Sequence, residues 1–368
     1  MSKSETGPPA WDIADPEAAV MSRLVSELAA ADTGVDRAGV WSEPLWRLVR
    51  DAGATLWSIP TEQGGPACPR PLFLQRYAQL ASASLTAAFV LSQHDAAVRR
   101  LSAAARHPAA KLWLDRIRSG DAFATVGISQ LTTSRRLGAQ ALVATELVPG
   151  RYRLRGAMPW VTAAQRADVF VTGALMEDGR QLLVALPAER PGVAVRPPFA
   201  LAALQASCTA EVSLDDVHVD DSDLLAEPGA DQSSQPSAVG TAGLETSALA
   251  LGQARAAIDA LAGLAADKAD LAEPSDELFR AWSDAWSSLL ACARGEPDAP
   301  NSGHVRSRSN DLVLKATQAY LLARKGSGFV LSEPAQRWAR QALFFLVWSC
   351  PTPLAQATIR DLAGLCPA

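Results

Sequence analysis

The sequence predicts a multidomain α+β fold: an N-terminal helical domain over residues 11–119, a middle antiparallel β-barrel or sandwich over 120–225, and a C-terminal helical bundle over 238–368. Three observations carry this reading. Before Asp121, apolar residues recur at helical spacing in Ala-rich stretches. From Asp121, Val, Thr and Leu alternate with polar residues between the turn signals Pro149-Gly150, Asp178-Gly179 and Pro191-Gly192. From Gly243, helical spacing returns through Leu244, Ala248, Leu251, Ala254, Ile258 and Leu261.

The elements follow in order. Residues 1–10 form a polar tail. Asp15-Pro16 predicts a helix start, with a capping carboxylate and a proline in the first turn, and Val20, Leu24 and Leu28 continue the apolar stripe. A second helix is expected from Glu43 to Asp51, and Pro60 with Gly64-Gly65 marks a break. Residues 72 to 118, interrupted by a single proline at Pro108, predict two helices. In the β block, Tyr152, Leu154 and Gly156 alternate with Arg151, Arg153 and Arg155, and the strands end near Val219. Residues 226–240, rich in Ser, Gly, Pro and Ala, read as a linker. The polar run Gly295–Gly303 separates later helices.

Composition narrows the function classes. With 48% hydrophobic residues and a mean hydropathy of +0.05, the chain can bury a large core. A net charge of −5 offers no basic surface for nucleic acid. The five cysteines (Cys68, Cys208, Cys292, Cys350, Cys366) are scattered and form no CxxC pair, which argues against a zinc site or a disulfide framework. Met1–Pro9 contains no apolar signal region. The apolar stretch Ala342–Trp348 is too short to span a bilayer. The expectation is a cytoplasmic protein without metal or membrane insertion.

The segment Gly156-Ala157-Met158-Pro159-Trp160-Val161-Thr162, followed by Ala167–Val171, carries the most information. Residues two apart on a strand share a face. An indole and a hydroxyl would then present themselves together to a planar heteroaromatic ligand. An ordinary half-buried sheet position fits the same pair. Upstream stand Phe123–Gln130 and a Thr/Ser-rich loop ending at Ser134. Downstream come Leu182–Pro187, Pro191-Gly192-Val193 and Ala210–Val219. In this order the series resembles the middle domain of the acyl-CoA dehydrogenase family. Ile59–Pro66 resembles that family's N-domain turn. Gly326-Ser327-Gly328-Phe329, Pro334 and Arg337–Arg340 resemble its late C-terminal signature, so the resemblance covers roughly residues 20–350.

The resemblance implies FAD held between the β-domain and the C-terminal helices. Ile128 and Ser129 would face its pyrimidine edge, Trp160 would stack, Thr162 would approach N5, and Gly326 and Gly328 would form part of the cofactor turn. Ser134 and Arg135, with Arg136 beside them, would lie near ligand or phosphate, and solvated loop charges are the alternative for the two arginines. His94 falls on a helix that lines the acyl pocket in relatives, and plain packing is its alternative. The chain also departs from the family pattern. Gln130-Leu131 replaces an acidic-Pro turn, and Asp267–Ala272 stands where relatives carry Arg-x-x-Phe-Gly. Leu322-Ala323-Arg324-Lys325-Gly326 keeps one glycine of a pair and lacks a preceding glutamine, leaving Arg324 or Lys325 to meet the pyrophosphate.

Desaturation of an acyl thioester needs a carboxylate to remove the α-proton while the flavin accepts hydride. The usual position of that base falls at Ser349, and an alcohol is a poor base without activation. A second position used by some relatives falls near Ala242, one helical turn from Glu245. Glu245 is therefore the expected catalytic residue, with a solvent-facing or capping glutamate as the alternative. Three functions stay open. One is FAD-dependent α,β-oxidation of a coenzyme A or acyl-carrier-protein thioester. The second is a flavin-dependent monooxygenase of the same fold, which needs no carboxylate base. The third is a non-catalytic scaffold. The apolar run Ala342–Trp348 predicts a homodimer or homotetramer.

Overall fold

A computed structural model describes residues 11, 13–131, 142–229, 244–348 and 352–364. The N-terminal block holds α1 (Ala18–Ala38), α2 (Glu43–Asp51), α3 (Arg70–Ala83), α4 (Leu85–Ala103) and α5 (Pro108–Arg118). The C-terminal block holds α6 (Leu244–Ala265), α7 (Ala272–Arg294), α8 (Ser302–Arg324), α9 (Pro334–Ala342) and α10 (Thr352–Leu362). Between them lie β1 (Ala124–Gly127), β2 (Val143–Val148), β3 (Arg151–Val161), β4 (Val169–Met176), β5 (Gln181–Pro187), β6 (Val193–Val195), β7 (Ala210–Asp220) and β8 (Leu224–Gly229). The predicted helix, sheet, helix order is the observed one.

Several local expectations shift for identifiable reasons. Helix α1 begins at Ala18; the Asp15 carboxylate accepts from Glu17 N at 2.8 Å just before it and also binds the buried guanidinium of Arg76 at 2.6 Å. The region 72–118 forms three helices rather than two. Ser84 takes extended backbone and caps the next helix, its hydroxyl accepting from Ala87 N at 3.2 Å. Strand β8 runs to Gly229, into the stretch read as linker. Ala342–Trp348 is not a continuous helix. It passes through a 3-10 turn, Leu343–Leu346, with Phe345 buried while Leu343 and Val347 are exposed.

Two glycines mark where backbones must touch. A Cβ at Gly252 would lie 2.0 Å from the Ala78 carbonyl oxygen, so α6 crosses α3 at backbone contact. A Cβ at Gly65 would lie 1.8 Å from Ile59 O, which fixes the Pro60–Gly65 turn. Helix α6 is long and apolar enough to cross a membrane by length and composition. Most of its apolar window is buried, and it packs against α3, α7 and α8 as a core helix.

The eight strands form one sheet in the order β6-β7-β3-β2-β4-β5-β8, with β1 paired to β4. Most pairings are antiparallel as predicted, but β1 and β2 both run parallel to β4. β1 covers Val169–Thr172 and β2 covers Leu175–Met176, end to end along one edge of β4. The chain leaves the sheet after Gly127 and rejoins the same edge at Val143. One apolar core lies among the helices, and a second fills one side of the sheet around Leu154, Met158 and Phe170. A third lies between α4, α5 and the β1/β4 strands, around Val98, Trp113, Val126 and Val171. Ion pairs join α1 to α9: Arg337 meets Asp32, both buried, at 2.8 Å, and the half-buried Arg340 meets Asp36 at 2.6 Å.

Candidate functional site

The excursion between β1 and β2 begins at Ile128 and Ser129, both half-buried. The 3-10 turn Ser129–Leu131 packs against β3 and β4. Where β1 peels away, backbone acceptors would be stranded, and Gln130 meets them. Its Nε2 donates to Gly127 O at 3.0 Å, Gly173 O at 2.9 Å and Thr172 Oγ1 at 3.1 Å. Thr172 Oγ1 adds a 2.6 Å bond to Gly127 O. Gln130 thus holds the exit of β1, a role its sequence position did not announce. Ser134, Arg135 and Arg136 lie outside the described residues.

Trp160 and Thr162 do not present a common open face. The β3–β7 register shifts between Met158 and Val161, the strand ends at Val161, and Ala163 adopts left-handed backbone at φ 54°. Trp160 stays 51% exposed, its ring 4.7 Å from that of Phe199. Thr162 turns inward to 4% exposure. Its carbonyl accepts from Thr125 Oγ1 at 2.9 Å, and its hydroxyl lies 3.3 Å from Thr209 Oγ1, itself 2.9 Å from Ser207 Oγ. The wall is therefore an open indole beside a buried ladder of neutral hydroxyls.

Helix α4 faces this wall on one side. His94 is fully buried, stacked on Phe123 at 5.3 Å, with Nδ1 2.9 Å from Ala124 O. Burial pushes its imidazole down to about 4, so the ring is neutral near pH 7. On another side, α4 turns Asp95 toward α3 and Arg99 toward α6. Tyr77 and Ser58 both donate to the Asp95 carboxylate, Ser58 at 2.9 Å. Burial raises the Asp95 carboxyl to about 7 against the pull of Arg99.

Glu245, in the first turn of α6, belongs to that second side. It is 5% exposed and neither caps a helix end in solvent nor faces water. Arg70 Nη1 donates to its Oε1 at 2.7 Å, and Arg99 Nη2 lies 3.5 Å from the same oxygen. Both guanidiniums lean over the Phe73 ring, at 5.6 and 5.9 Å. Burial raises the Glu245 carboxyl, but Arg99 and then Arg70 outweigh it and hold the group below its ordinary value. Oε2 is buried without a hydrogen-bond partner among the described residues. The carboxylate is thus ionised and pinned at one oxygen, and less basic than a free one. Arg70 and Arg99 lie 175 and 146 positions away in the chain, and no local spacing signals the pairing.

The C-terminal turn at Lys325–Phe329 is a 3-10 helix. Lys325 holds φ 53°, ψ −147°, a conformation natural to glycine. Gly326 is exposed with open space beside it, whereas a Cβ at Gly328 would meet Arg324 Cβ at 2.6 Å. Arg324 is paired with Glu333 at 2.7 Å, and Lys268 Nζ donates to Ala323 O at 3.3 Å. Nearby, Phe344 and Trp348 pack edge-on against Phe89 of α4, each at 4.9 Å. Ser349 and Cys350, next in sequence, lie outside the described residues.

No family model matches the chain. It is 26% identical over 210 residues to a probable acyl-CoA dehydrogenase of Bacillus subtilis (strain 168), a match spanning 52% of this chain and only about half, 55%, of that relative. It is 23% identical over 359 residues to benzylmalonyl-CoA dehydrogenase of Aromatoleum aromaticum, covering 92% of this chain and 95% of the relative. Among solved structures it matches butyryl-CoA dehydrogenase from Megasphaera elsdenii with a TM-score of 0.82 at 16% identity, over 97% of this chain and 100% of that one. It also matches an FMN-bound dibenzothiophene monooxygenase from Paenibacillus sp. A11-2 with a TM-score of 0.79 at 17% identity, over 94% and 96%. Its three-part architecture and these matches give the chain the acyl-CoA dehydrogenase fold.

Proposed function

We propose that this chain is a flavin-dependent oxidoreductase acting on an acyl thioester of coenzyme A or an acyl carrier protein. The half-exposed Trp160 indole, on the strand against which the Ser129–Leu131 turn packs, carries the reading. A large aromatic face left open at a strand end is a ready surface for a planar ring. Ile128 and Ser129 offer backbone and hydroxyl groups to a pyrimidine edge. The Thr125, Thr162 and Thr209 contacts fix the adjoining wall. These residues fit the isoalloxazine half of FAD. The adenine half is less provided for, since Arg324 and Lys268 already bond within their own chain and Lys325 is, among the described residues, the exposed cation that remains at the Gly326–Gly328 turn. When bound, the flavin supplies hydride acceptance. The chain's own part in dehydrogenation is to orient the thioester and take the α-proton, for which the unpartnered Oε2 of Glu245 is the candidate atom.

The arginine-bound state of Glu245 favours a second reading, oxygen chemistry with reduced flavin, which needs no carboxylate base. Anaerobic addition of acyl-CoAs to the flavin-loaded protein separates the two. Bleaching of the flavin supports dehydrogenation, while oxygen uptake with supplied reduced flavin, without bleaching, supports the second reading. Glu245→Gln, checked for folding by its melting curve, abolishes bleaching if Glu245 is the base, and full retained bleaching removes it from that role. We further propose that the exposed apolar residues Leu322, Phe329, Val330, Leu331, Leu343 and Val347 are covered by another copy in a homodimer or homotetramer. A monomeric mass by light scattering contradicts this.

A further inference from the structure

A cavity of about 160 Å³ opens at the seam between the N-terminal helices and the sheet. Its size matches cavities of about 150 Å³ that accept benzene. Trp41, Trp46 and Phe123 line it, with ring centroids 4.9 to 6.1 Å apart, and His94 lies at its buried end.

The buried end has an unmet need for a donor. A neutral imidazole carries one ring proton. Nδ1 makes the shorter contact, 2.9 Å to Ala124 O, so the proton belongs there. Nε2 is then a bare lone pair facing another acceptor, Thr55 O, at 3.3 Å. Both His94 and Thr55 line the cavity. A group with several N–H donors placed beside them satisfies both acceptors.

The mouth has an unmet need for positive charge. Its two arginines are already opposite carboxylates: Arg166 meets Glu43 at 3.0 Å and Arg50 meets Asp51 at 3.5 Å. Its other two carboxylates have no cation. Asp121 accepts from Ser119 Oγ at 2.7 Å and Asp168 from Phe123 N at 2.7 Å, and neither makes an ion pair among the described residues. Aromatic faces between an acceptor pair and uncompensated carboxylates make a cation receptor.

We propose that this cavity is a binding site for a small organic ammonium ion of about the size of benzylamine. Its N–H groups bridge His94 Nε2 and Thr55 O, its body lies against Trp46 and Phe123, and Asp121 and Asp168 supply the field. The site is separate from the proposed flavin wall and does not depend on it.

Isothermal titration of the full-length protein with benzylamine, benzyl alcohol and benzoate tests this without any turnover. Benzylamine should bind, benzyl alcohol about tenfold more weakly, and benzoate not measurably. Asp121→Asn, at an exposed position, should weaken benzylamine severalfold and leave benzyl alcohol unchanged. His94→Phe should abolish the preference for the amine. Equal binding of amine and alcohol, no amine uptake at millimolar concentration (a cavity holding water only), or an unaltered affinity in Asp121→Asn overturns the proposal.

Discussion

The two sides of α4 use polar groups in opposite ways. Toward the sheet, the polar groups are neutral: Thr125, Thr162, Thr209, Ser207 and an uncharged His94, while the Trp160 indole of the same sheet stands half open to solvent. Toward α3 and α6, they are charged and closed in: Arg70, Arg99 and Glu245 around Phe73, with Asp95 and Tyr77 alongside. Neutral groups that bond to one another cost less to bury than charges do. Buried charges persist only while every partner remains, so that side acts first as an anchor joining three helices. The carboxylate expected for chemistry sits in the anchored region, and the aromatic expected for a cofactor sits in the open one.

The largest effect should come from breaking the charged side. Glu245→Gln leaves Arg99 buried without its counter-charge and should cost about 3 kcal/mol or more in urea unfolding. A loss below about 0.5 kcal/mol, the range of ordinary surface changes, would erase the contrast between the two sides.

The second effect is a pH dependence. The Asp95 carboxyl sits at about 7 when folded, against an unfolded value near 4. Between those values the native state holds a proton that the unfolded chain has released. Stability from this group is therefore greatest below about pH 4 and is lost as pH rises through 7. Asp95→Asn, which keeps an acceptor for Tyr77 and Ser58, should flatten that decline in a series of melts from pH 5 to 8. An unchanged slope would place the titration elsewhere.

A smaller effect belongs to the C-terminal turn. Lys325 keeps a glycine backbone, so Lys325→Gly should raise stability by about 1 kcal/mol through released strain. If the same change weakens flavin binding, the lysine contributes to cofactor capture as well.

Much of this was legible in the sequence, and the exceptions share a cause. The three-block order follows from hydrophobic period, and the turns at Ile59–Pro66 and Gly326–Gly328 stand out by their resemblance to family signatures. What local sequence does not express is partnership at a distance. Asp15 reads as a helix cap, and nothing local announces that Arg76, 61 positions on, also binds its carboxylate. Glu245 reads as a capping or catalytic acid until Arg70 and Arg99 arrive from other helices. The Trp160–Thr162 pair followed strand alternation only until the register shift near Val161 turned the threonine inward. Gln130 looked like a lost motif residue, yet its amide holds together the carbonyls where β1 leaves the sheet.

The open side is tested most directly by the absorption spectrum of the purified protein during titration with FAD and FMN, alongside Trp160→Ala. The substitution removes an exposed ring and should change stability by less than about 0.5 kcal/mol. A yellow protein whose bound-flavin bands shift on titration, and whose affinity falls about tenfold or more in Trp160→Ala at unchanged melting temperature, is the predicted result. A colourless protein that takes up neither flavin, or one whose flavin affinity ignores Trp160, would contradict the assignment of the β1–β3 wall.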